Sequence, residues 1–106
     1  MQPLTSDATT ALLRVIARIV EMPVSFEEIR SRSWASVTFT GARHQIALLL
    51  EGEGADTAAD AFLAKLDVAE FRLRGHILAD IALIAREAAG DGSVRIRIEA
   101  LTVEDI

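Results

Sequence analysis

Two histidines, ten arginines and no cysteine are the residues of this chain best suited to chemistry. His44 stands in "GARH" beside Arg43, and His76 stands in "RGH" close to Arg72 and Arg74. Two histidines meeting from different hairpins could bind a ligand or, with a carboxylate, a metal. No spacing in the sequence fixes such a metal site, so neither metal nor cofactor is expected. Asp80 follows His76 by four residues, which on a strand is about 13 Å at 3.3 Å per residue, too far for a direct acid–base pair. Arg43, His44, Arg72, Arg74 and His76 are therefore the candidates for binding a small anionic ligand, and no catalytic residue can be assigned. The serines of "SRSWAS" have no base that spacing would supply. No dinucleotide or phosphate loop, nucleophile elbow, zinc helix or calcium loop occurs.

The arginines raise a second question. Arg72, Arg74, Arg95 and Arg97 should project together from adjacent strands. Guanidinium groups so placed repel unless acids or an anion neutralise them. Glu70, Asp80 and Glu99 are candidates as cross-strand partners, and a bound anion is the alternative.

Composition narrows the function classes. The net charge of −5 disfavours nucleic acid as a partner, because phosphate contacts run on Lys and Arg. The absence of cysteine removes disulfides, thiolate metal sites and cysteine nucleophiles. No apolar run reaches the 18 or so residues of a membrane span. Arg14 and Arg18 interrupt the first apolar stretch, so it reads as no signal peptide, and a cytoplasmic protein is expected. A chain of 106 residues is read as one domain, 1–106. Its core must come from Leu, Ile, Val and Ala, since aromatics are 5%.

The elements that would position these side chains follow from periodicity. Residues 5–21 read as a helix, with Thr5, Ser6 or Asp7 as cap and Ala8, Leu12, Val15, Ile16 and Ile19 on one face. In "VSFEEIR", Ser25 with Glu28 has the pattern of a capping box and Val24 with Ile29 that of a hydrophobic staple, which predicts a helical turn over 26–31. The rival reading starts a strand near Arg30. "WASVTFTGARHQIALLLEG" reads as a hairpin turning at Gly41-Ala42, which pairs Thr40 with Arg43 and Val37 with Ile46. Asp56 or Thr57 should cap a helix over 58–66 that buries Ala59, Phe62, Leu63 and Leu66. The acids at its start are read as complementing the helix dipole.

"FRLRGHILADIALIARE", residues 71–87, is ambiguous. Its alternation predicts a long strand, bent at Gly75. A helical wheel instead gathers Ile77, Leu78, Ile81, Ala82, Ile84, Ala85 and Ala88 into one arc, which makes 76–89 a helix. No cap precedes that helix, and "SVRIRIEALT" alternates cleanly after an Asp91-Gly92 turn, so the strand is preferred.

The expected fold is thus α+β: a two-layer sandwich of order α-β-β-α-β-β, with a mostly antiparallel four-stranded sheet and helices on one face. Its other face should carry Trp34, Leu49, Leu78, Ile84, Leu101 and Val103. Six large apolar side chains are together worth on the order of 10 kcal/mol on burial, comparable to the cost of association, about 4–15 kcal/mol. The leading functional expectation is a non-enzymatic assembly module that pairs with itself as a two-fold homodimer through these six residues. The alternative is a small ligand- or anion-binding protein or enzyme with its site near His44, His76 and the arginines.

Overall fold

The computed structural model describes residues 7–104. Their order is α1 (Ala8–Ile19), β1 (Val24–Ala35), β2 (Thr40–Leu50), α2 (Ala55–Ala64), a 3-10 turn (Val68–Glu70), β3 (His76–Ala88) and β4 (Val94–Glu104). The four strands form one antiparallel sheet in the order β1-β2-β4-β3. Both helices bury their apolar stripes on the same sheet face, so the expected α+β sandwich is the observed one. Leu12, Val15 and Ile16 of α1 join Ala58, Ala59 and Phe62 of α2 in one core with Ile46, Leu48, Leu50, Val94, Ile96 and Ile98.

Local signals explain most boundaries. Asp7 caps α1, its carboxylate accepting from the Thr9 backbone N–H and from the Thr10 hydroxyl. The other two candidate caps, Thr5 and Ser6, lie outside the described residues. Helix α2 starts three residues earlier than expected, capped by Gly54 in the left-handed region and not by Asp56 or Thr57. The acids of its first turns have a more specific role than dipole complementarity. Asp56 and Asp60 both accept from the Arg86 guanidinium, at 2.9 and 2.6 Å. This double hydrogen bond raises the Arg86 pKa and fastens α2 to β3.

Three expectations about the strands need correction. Residues 26–31 form no helical turn, because β1 already runs from Val24. A bulge at Glu27 shifts the register there. It converts a period of two into an offset that imitates a capping box. The first hairpin does not turn at Gly41-Ala42. It turns at Val37-Thr38, where the Ser36 backbone N–H donates to the Phe39 carbonyl at 2.7 Å. The Ser36 hydroxyl oxygen accepts from the Phe39 N–H. Ala35 therefore pairs with Thr40, Trp34 with Gly41 and Ile29 with Ile46. Gly75 is no mid-strand bend either. It sits at φ +79° in the turn that joins Leu73 to His76, ahead of β3. The segment 76–88 itself is strand, as preferred over the helical reading.

Two further bulges, at Ala79 and at Ile84, set which way β3 faces. Through their β4 partners, His76, Leu78, Ile81, Leu83, Arg86 and Ala88 fall on the helix side. Leu78 was expected on the opposite face; the register sends it inward, where it is 6% exposed and part of the core.

Candidate functional site

Cross-strand register assembles the sheet face away from the helices into rows. One row is Trp34–Gly41–Val103–Ile77 and the next is Arg32–Arg43–Leu101–Asp80. Then come Arg30–Gln45–Glu99–Ala82 and Glu28–Ala47–Arg97–Ala85. The last, Ser25–Leu49–Arg95–Glu87, lies at the far end. Of the expected interface residues, Trp34, Leu49, Leu101 and Val103 occupy this face. Ile84 sits at its bulge and lines a shallow groove with Gln45, Ala47, Arg97 and Glu99.

Most of the middle of that face is roofed by ion pairs. Arg95 donates to both carboxylate oxygens of Glu27, at 2.5 and 3.1 Å. That hydrogen-bonded pairing holds the Glu27 carboxyl below its ordinary value and raises Arg95. Arg97 reaches Glu28 at 3.2 Å and Glu87 at 3.8 Å, Arg30 reaches Glu28 at 3.0 Å, and Arg43 reaches Glu99 at 3.3 Å. Ala47 beneath them is buried. The apolar residues left open lie toward the ends and edge: the Trp34–Ile77 row, Ile84, and the hairpin tip, where Val37 and Phe39 are exposed.

The predicted ligand residues divide among three places. Arg43 lies in the roof just described. His44 and His76 face the helix side and line one cleft of about 200 Å³ with Asp7, Ser31, Ser33 and Glu104. Arg72 and Arg74 precede β3 and never join Arg95 and Arg97 on the sheet. They face α1, lining a cleft with Arg14 and Arg18.

His44 is 1% exposed, and hydrogen bonds fix its state. The Thr102 hydroxyl gives its single proton to the Ala42 carbonyl, at 3.3 Å. It must therefore accept from His44 Nε2–H, 2.9 Å away. In the neutral ring, which burial favours, Nδ1 is then the acceptor for the Ser31 hydroxyl at 2.8 Å. Ser31 Oγ in turn lies 2.9 Å from Thr9 Oγ1, which also approaches Nδ1 at 3.4 Å. One neutral imidazole thus ties α1, β1, β2 and β4 together. Burial lowers the His44 pKa, the Asp7 charge opposes that shift and the His76 charge adds to it.

This arrangement differs from a catalytic triad. Ser31 and His44 have the separation of a nucleophile and its base. The third partner, however, is the hydroxyl of Thr102 and not a carboxylate, so no carboxylate is hydrogen-bonded to the ring to steady an imidazolium. A depressed pKa weakens the base further. The sequence offered no route to this network: Thr9, Ser31 and Thr102 are ordinary strand and helix residues until the register aligns them.

The network makes folding sensitive to pH in one direction. Unfolded His44 titrates at its ordinary value near 6.5, and the folded protein binds that proton only at lower pH. Stability is then full above about pH 6.5 and is lost as pH falls through the folded value. Thermal unfolding monitored by circular dichroism should show a constant midpoint from pH 8 to 7 and a falling one below 6.5, before carboxylates titrate. In His44→Gln that fall should disappear.

Comparison with known proteins yields one informative likeness. No protein-family model matches this chain, and no curated protein does. A chain from the virion of a native gene transfer agent particle shares the fold, with a TM-score of 0.54. It is 20% identical in sequence, over 96% of this chain and 95% of that one.

Proposed function

We propose that this chain is a non-enzymatic assembly subunit that pairs with a second copy of itself through the sheet face opposite the helices. The observation that carries the reading is that face. Both helices stack on one side of the sheet, which leaves the other uncovered. Its Trp34–Gly41–Val103–Ile77 row and its Ile84 bulge expose apolar area beyond what the Arg–Glu roof covers. Exposed apolar area bordered by charge is the usual make-up of a protein contact. The same face meeting itself gives a closed two-fold pair, with Trp34, Leu49, Ile84, Leu101 and Val103 as the interface. The structural likeness supports the reading, since the similar chain is part of a virion. No helix of the described residues is long and apolar enough to cross a membrane.

Sedimentation equilibrium tests the proposal. The wild-type chain of 11.5 kDa should sediment at twice that mass or more. Ile77→Glu combined with Ile84→Glu places charge on two exposed positions and should return the protein to 11.5 kDa. Its thermal midpoint should hardly change, because exposed substitutions cost about 0.5 kcal/mol or less. Wild-type protein that is monomeric at every concentration, or a variant that associates as well as wild type, overturns the proposal.

A further inference from the structure

We infer that Arg14, Arg18, Arg72 and Arg74 form a binding site for a compact ligand carrying linked phosphates. Five of the ten arginines, Arg30, Arg43, Arg86, Arg95 and Arg97, are in ion pairs. Among the described residues, four of the other five line one cleft of about 480 Å³ with Asp7, Thr10, Ala11 and Val15. The fifth, Arg32, lies on the opposite sheet face. Among the described residues, every sheet arginine but Arg32 is thus in an ion pair, and the four in this cleft are in none.

Two elements hold the four side chains. Arg14 and Arg18 are one turn apart on α1, so they stand on the same face of the helix. Arg72 and Arg74 flank Leu73, which packs on the core and is bridged to His76, so both are carried on an anchored segment. The one carboxylate in the lining, Asp7, is already engaged as the cap of α1. Four guanidinium groups against one committed carboxylate leave a strong local excess of positive charge on a chain whose net charge is −5.

That density selects the ligand. A phosphate offers up to two charges and three acceptor oxygens, and arginine binds it with two parallel hydrogen bonds. A carboxylate brings half the charge at most, so linked phosphates satisfy four arginines in less space than a run of acidic side chains. The rest of the chain carries the compensating acids and repels a long polyanion. No aromatic side chain lines the cleft to stack on a base. A free diphosphate group therefore fits better than a nucleic-acid strand, which carries the same phosphate chemistry.

The experiment is titration of the full chain with inorganic pyrophosphate, followed by NMR of the arginine Nε–H signals and by calorimetry. Pyrophosphate should give saturable shifts at Arg14, Arg18, Arg72 and Arg74 and none at Arg32. Arg72→Gln with Arg74→Gln, and separately Arg14→Gln with Arg18→Gln, should each weaken binding by roughly tenfold or more. Arg32→Gln should leave it unchanged. Parallel arms use a thymidine oligonucleotide and a glutamate-rich peptide. Pyrophosphate should bind at least as tightly as either. No saturable shift, equal binding by the double variants, or tighter binding of the peptide or the oligonucleotide overturns the inference. Sedimentation of the double variants should match wild type, which separates this result from the fate of the sheet-face contact.

Discussion

Gly41→Ala should destabilise the protein by about 3 kcal/mol or more, at or beyond the upper end of ordinary overpacking costs. Gly41 lies in the middle of a row, between Trp34 on β1 and Val103 on β4. A Cβ there would overlap the Thr102 carbonyl oxygen and stand 2.8 Å from Trp34 Cζ2. The first neighbour is backbone in the central β2–β4 ladder and cannot swing aside. The second is the indole that lies over the glycine. Its Nε1–H is buried with no acceptor among the described residues, so contact area and not a hydrogen bond holds the ring in place. Urea unfolding of Gly41→Ala at pH 7.5 measures the loss, with Gly52→Ala as a comparison. At Gly52 the limit is its φ of +84°, with open space around the new methyl. A Gly41→Ala variant as stable as wild type would show that β2 and β4 can part without cost.

Phe62→Ala should cost about 3–5 kcal/mol, the usual range for emptying a buried aromatic site. Phe62 is 1% exposed and is the largest fully buried side chain of the described core. It stands on α2 and joins the one core cluster, in which the buried strand residues are aliphatic. Because α2 is otherwise fastened by Arg86 to Asp56 and Asp60, the variant should retain its sheet and lose order in α2 first. Hydrogen exchange read residue by residue should show protection falling across Ala55–Ala64 more than across β4. Uniform loss would show that helix and sheet unfold as one unit.

The parts of the fold legible in the sequence are those with an undisturbed period. Helix α1 has a cap and a stripe, and β4 alternates without interruption, with Val94, Ile96 and Ile98 inward as read. The parts that misled have bulges. In β1 the inward positions are Val24, Phe26, Ile29, Ser31 and Ser33. The single step of three at Glu27 and the two serines at the end hid a strand behind a capping-box pattern. In β3 the inward steps alternate between two and three residues. That average lies between the strand's period and the helix's, which is why both readings fitted residues 76–88. It also explains Leu78: counting by twos from Phe71 assigns it to the wrong face. The candidate site was less legible still. Arg72 and Arg74 were visible as a pair, but their neighbours Arg14 and Arg18 are nearly sixty residues earlier, and only the return of the chain past α1 brings the four together. His44 was singled out for its residue type. Its partners came from register, which an isolated sequence does not state when the hairpin turn is misplaced.

The irregular steps in β1 and β3 have a consequence for how copies can meet. These are the two outermost strands of the sheet, and each is long, at 12 and 13 residues. Straight outer strands of that length would offer unpaired peptide groups as a template for endless stacking of one molecule on the next. The bulges at Glu27, Ala79 and Ile84 interrupt and twist that template. Growth by strand addition into fibrils is thereby discouraged on both flanks.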